Sequence, residues 1–185
     1  MTVYISLLRA VNVGGHNLVK MEALRALYAT LHLRDAATYV QSGNVVFRSG
    51  ETDAVRLAVR IENALERTFG IRPVVILRTA SELRDVAARN PFAARPGIEP
   101  NKLLVTFLVD WPSAEVRVKA LALQTAPEEL HVDGRELFTY FPNGFSQSKL
   151  SMPAVDRALR IPGTARNWNT LIKLLTMAEK LEGTV

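Results

Sequence analysis

The residues of this chain best suited to chemistry are cations and amides on glycine-bearing loops. Arg9, Asn12, Gly14, Gly15, Asn17 and Lys20 fall within twelve residues, and residues 1–21 contain no acid, for a local charge of +2. Residues 137–178 hold Ser148, Lys149, Arg166, Asn167, Asn169 and Lys173, and carry a local charge of +4. The whole chain is only +5, so the rest is close to neutral. Unbalanced cations beside polar loops are what an anion-binding surface requires. Between them lies a third polar group, Gln41, Ser42 and Asn44 around Gly43.

Each group also has a plain structural reading. The Gly14-Gly15 pair joins a strand to a helix, where backbone amides and the helix dipole can hold a phosphate. It matches neither the G-x-G-x-x-G nor the G-x-x-x-x-G-K-[ST] pattern, and two glycines also serve a tight connection with positive φ. Gly43 with one polar neighbour is explained by turn chemistry alone. Asn167 reads equally as a cap at a helix start. Arg166, Asn169 and Lys173 share one helical face, and a cation in a first turn opposes the dipole, so Arg166 calls for a partner.

Much other chemistry is excluded. No cysteine is present, which removes disulfides, thiol catalysis and cysteine metal sites. His16, His32 and His131 lack metal-ligand spacing, and acids do not cluster near the polar groups. Ser148-Lys149 lacks the Ser-x-x-Lys spacing of a nucleophile and its base. The sequence calls for no cofactor and no metal.

The 185 residues suit one compact domain or two small ones. The isoelectric point of about 9.8 owes much to arginine, which outnumbers lysine 17 to 6 in an alanine-rich chain. That bias needs no functional cause. Val3–Leu8 is too short to span a membrane and lacks signal-peptide flanks, so a cytoplasmic protein with no membrane partner is expected.

The elements that must position these residues follow from periodicity. Val3–Leu8 reads as a strand buried on both faces. Met21, Leu24, Leu27, Tyr28 and Leu31 mark a helix, and Thr38–Gln41 and Asn44–Phe47 a hairpin through Ser42-Gly43. Asp53 caps a helix that Gly70 ends, and Pro73–Leu77 is a fourth strand. Ser81 caps a short helix. After Pro91, Pro96-Gly97 and Pro100 the order restarts: strand Leu103–Val109, a helix opened by Ser113, and a hairpin at Asp133-Gly134. A final helix begins near Thr164–Asn167, its apolar stripe led by Trp168. The expected fold is α+β: two tandem ferredoxin-like plaits, the second altered, with a C-terminal amphipathic helix. The divisions are 1–80, a connector at 81–101, and 102–185.

Three segments are more specific than a generic α+β pattern: Leu7–Gly15, Tyr39–Phe47 and Thr164–Thr170. With Asn90-Pro91-Phe92 and Ser148-Lys149-Leu150 between them, the chain resembles the bacterial family catalogued as domain of unknown function 1697. The resemblance implies paired plait-like α/β subdomains and no activity. Ala10 stands where the family usually has glycine, and His16 where it usually has lysine. His16 thus replaces a fixed charge with a pH-dependent one.

Three functions compete. The first is recognition of a small phosphorylated or carboxylated ligand in a cleft between plaits, with the three segments converging on one site. The second is an RNA-binding module, with Tyr4 and Phe47 as stacking rings. The third is a non-catalytic interaction protein.

Overall fold

A computed structural model describes residues 1–183. The fold is α+β, with two four-stranded antiparallel sheets and six α-helices among the described residues. The chain divides into two compact units. One comprises Met1–Arg84 with Lys173–Val185, the other Asp85–Ile172. One divide therefore falls inside the helix Ala80–Ala88 and the other inside the last helix, Trp168–Glu182.

The first unit runs β1 (Thr2–Leu8), α1 (Met21–Thr30), β2 (Arg34–Tyr39), β3 (Asn44–Ser49), α2 (Ala54–Phe69) and β4 (Val75–Thr79). The sheet order is β2-β3-β1-β4. β1 is central, and its residues Val3–Leu8 are buried on both faces. Tyr4, Leu8, Val45, Phe47 and Leu77 pack with Leu24 and Tyr28 of α1 and with Leu57, Ile61 and Leu65 of α2. The apolar faces of both helices thus close one core against the sheet. Asp53 caps α2, accepting from the Arg56 amide, and Gly70 ends it at φ +70°.

The second unit runs β5 (Leu103–Leu108), α4 (Ala114–Leu121), β6 (Glu129–Asp133), β7 (Glu136–Tyr140), α5 (Met152–Leu159) and β8 (Gly163–Asn167). Its sheet order, β6-β7-β5-β8, is that of the first unit. Leu108, Leu130 and Leu137 pack with Ala120 of α4 and Val155 and Leu159 of α5. Ser113 caps α4 as its sequence position predicts.

Several expectations are corrected. The second unit repeats the element order of the first, with α5 and β8 following its hairpin where the sequence reading placed no strand. Residues 164–167 are the β8 strand and not a helix start; the last helix, α6, spans Trp168–Glu182. Alternating Thr164, Ala165 and Arg166 gives little apolar signal, so only pairing with β5 reveals the strand. α3 spans Ala80–Ala88, and Thr79, not Ser81, caps it. The Thr79 hydroxyl accepts from the Glu82 amide at 3.1 Å while the Glu82 carboxylate accepts from the Thr79 amide at 2.8 Å. This reciprocal pair is a capping box.

The repeat extends to register. Ile5 faces Arg78 across β1 and β4, and Val105 faces Arg166 across β5 and β8. Leu7 faces Asn44, and Phe107 faces Glu136. The Leu8 amide donates to Gly43 at 3.0 Å, and the Leu108 amide to Arg135 at 2.8 Å. The halves share little sequence identity, yet their backbones are bonded alike.

Candidate functional site

The β1–α1 connection is a fixed loop. Its central residue is Asn12, half-buried and at φ +55°, a conformation that asparagine tolerates better than most side chains. Its Nδ2 donates to the Val19 carbonyl at 2.9 Å and the Gln41 carbonyl at 2.8 Å, and its Oδ1 accepts from the Val19 amide at 2.7 Å. Asn17, at φ +51°, donates from Nδ2 to the Ala10 carbonyl at 2.9 Å. The Asn12 amide in turn donates to the Asn17 carbonyl at 3.2 Å. These two amides staple the loop to itself and to the β2–β3 connection.

At its tip, the His16 amide donates to the Val13 carbonyl at 3.0 Å, closing a four-residue turn. Gly14 and Gly15 are its central residues, at φ +57° and +80°, the combination of a type I′ turn. Glycine is needed here for conformation and not for space: a side chain at Gly15 would meet nothing within 4 Å. The glycines precede Met21, the first residue of α1, by six and seven positions. They form an exposed turn and not a cradle at the helix start, contrary to the sequence reading of that loop. Of the intervening residues, Asn17 and Val19 make the bonds of the staple.

The second polar segment joins the first. Residues 40–43 connect β2 to β3, so Val40 and Gln41 are loop and not strand. Asn44 is buried and donates from Nδ2 to the Tyr39 carbonyl at 3.0 Å and to the Ser42 hydroxyl at 2.9 Å. Gly43, at φ +70°, lies so close to Leu8 that a Cβ would stand 2.8 Å from the leucine Cβ. Glycine is obligatory there on both counts. Gln41 projects into solvent.

The remaining candidates belong to the second unit or to α6. Arg166 is only 8% exposed and lies on β8. It donates to the Thr164 hydroxyl at 2.7 Å and to the Ala165 carbonyl at 2.8 Å. Burial lowers its pKa to about 10. Arg78, 2% exposed at the equivalent register of β4, likewise donates to the preceding carbonyl, of Leu77, at 2.9 Å. The repeat thus places one buried arginine on the last strand of each sheet, and for Arg166 this is a strand position that sequence reading assigned to a helix start. Asn167 donates to the Asn101 carbonyl at 2.7 Å and accepts from the Asn169 amide at 3.0 Å, capping α6. The Ser148 hydroxyl accepts from the Leu150 amide at 3.0 Å within a loop. Lys149, Asn169 and Lys173 are exposed.

The first loop carries its own cations. Arg9 is half-buried, while His16 and Lys20 are exposed. None has an ion-pair partner among the described residues. Several other arginines are matched: Arg84 meets Glu179 and Glu182, Arg89 meets Asp133 and Glu136, and Arg95 meets Glu129. A second group was missed by sequence reading: a concavity of the first unit lined by Arg25, His32, Arg34 and Asp35. Its cationic side chains come from the middle of α1, the turn after it and the irregular start of β2, where a register shift between Arg34 and Ala37 leaves no sequence period to detect.

The rings proposed for stacking bases are not available. Tyr4 and Phe47 lie 5.9 Å apart, but both are buried in the core, with Tyr28 edge-on to Phe47 at 5.2 Å. No group of three metal-binding side chains occurs among the described residues. No described helix is long and apolar enough to cross a membrane.

Fold and site together describe an α+β protein of two like-ordered antiparallel sheets, with a stapled basic loop on the first. Residues 1–138 match the model of the protein family of unknown function DUF1697, and the chain belongs to that family. Among solved structures it is similar to the conserved bacterial protein SP0830 from Streptococcus pneumoniae. The TM-score is 0.73 at 22% identity, over 97% of this chain and 99% of that one. At this identity the likeness concerns the fold. No curated protein matches.

Proposed function

We propose that this chain binds a small phosphorylated or carboxylated ligand at the β1–α1 loop, and that each unit is a ferredoxin-like plait. The plait reading rests on the β-α-β-β-α-β order with sheet order β2-β3-β1-β4, repeated as β6-β7-β5-β8. We place the protein in the cytoplasm on its cysteine-free sequence.

One observation carries the ligand reading. The amide side chains of the loop are used to fix it, while Arg9, His16 and Lys20 on it lack acidic partners. A pre-ordered loop loses little entropy on binding, and unpaired cations favour an anion.

The test is calorimetric titration of wild type and an Arg9→Ala/Lys20→Ala variant with inorganic phosphate, pyrophosphate and a set of nucleotides and sugar phosphates. Binding of at least one of these, weakened about tenfold or more in the variant, is expected. Absence of binding across the set, or binding that the double change leaves intact, would sink the proposal. A short RNA is the control: tight binding that falls with salt by several ions would indicate a polynucleotide partner instead.

A further inference from the structure

The same loop shows apolar side chains that packing does not explain. Val13 is 60% exposed, Leu18 74% and Val40 50%. Each stands one residue from an atom engaged by the Asn12 side chain or from Asn12 itself. Val13 follows Asn12, Leu18 precedes Val19, and Val40 precedes Gln41. Leu18 is flanked by two pinned residues, Asn17 and Val19, so its outward direction is fixed by hydrogen bonds on both sides. Val40 is at φ +50°, a strained conformation for a β-branched residue, and it carries that strain while half-exposed. Strain retained at a surface position marks a feature kept for a purpose other than folding.

Arg9, His16 and Lys20 occur on the same loop, and residues 36–50, which include Val40, contain no acid. We infer that the ligand of this loop is an amphipathic anion: a phosphate or carboxylate carrying an apolar chain. Arg9 and Lys20 meet the charged group, and Val13, Leu18 and Val40 cover the chain. This rests on the anion reading above and adds the chemical class of the ligand. Removing exposed aliphatic surface from water adds affinity that inorganic phosphate cannot gain.

The deciding experiment titrates the full chain with inorganic phosphate, monomeric octyl phosphate and octanol. The same ligands are then titrated into a Val13→Ser/Leu18→Ser variant. Octyl phosphate is expected to bind about tenfold or more tightly than inorganic phosphate, and the variant to lose that advantage while still binding phosphate. Equal affinity for the two phosphates overturns the inference but leaves the anion reading standing. Failure of both to bind removes both. Octanol binding as tightly as octyl phosphate overturns the role of the charge. Sedimentation with anionic phosphatidylglycerol vesicles separates the two sources of such a head group. Binding to vesicles without binding to monomeric octyl phosphate also overturns the small-ligand form of the inference.

Discussion

Asn12 gives the sharpest test of which polar loop residues are scaffold. Its side chain makes three hydrogen bonds, at 2.9, 2.8 and 2.7 Å, and its backbone holds φ +55°. A net hydrogen bond contributes about 1 kcal/mol, so truncation to alanine removes about 3 kcal/mol. Placing a Cβ without a local amide in the left-handed region adds about 1 kcal/mol. Asn12→Ala is therefore expected to cost about 3–4 kcal/mol, a large share of the 5–15 kcal/mol that stabilises a typical domain. With a urea dependence of about 2 kcal/mol per molar, the unfolding midpoint falls by roughly 1.5–2 M. If the loop opens locally before the unit unfolds, the loss surfaces instead as faster thermolysin cleavage around Leu18. Asn12→Gly separates the two contributions, since glycine accepts the backbone angle and loses only the bonds. A midpoint shift below about 0.3 M in Asn12→Ala, with unchanged proteolysis, would refute the staple. It would return Asn12 to the set of ligand contacts.

Two further predictions concern strain and burial. Val40→Gly relieves a β-branched residue at φ +50° and should raise stability by about 1 kcal/mol, read as a higher urea midpoint; a lower midpoint would show that the valine packs. Tyr28 is fully buried and bonded to Ser6 at 2.8 Å, and burial raises its pKa above 10.0. The folded state then keeps this proton where the unfolded state releases it. Its contribution is fully present below pH 10 and is lost as pH rises above it. Urea midpoints measured across pH about 9–12 should fall more steeply for wild type than for Tyr28→Phe, and parallel slopes would refute this.

What could be read from the sequence was local. The buried run of β1, the amphipathic periods of α1 and α2, and the caps at Asp53, Gly70 and Ser113 each declare themselves within a few residues. The element order of the first unit followed from the same signals. The loops supplied the candidate cations Arg9 and Lys20, because charge imbalance is a property of composition.

Tertiary structure decided the rest. β8 is a strand because β5 pairs with it, and Thr164, Ala165 and Arg166 carry too little apolar alternation to announce it. Arg166 is buried beside its own neighbours, matching Arg78 in the other sheet, a correspondence visible only in the register. Asn12, Asn17 and Asn44 looked like hands for a ligand and serve backbone carbonyls instead. An amide side chain has the same donors for either task. Which partner it finds depends on chain segments, such as Gln41 beside Asn12, that are remote in sequence and brought together only by the fold.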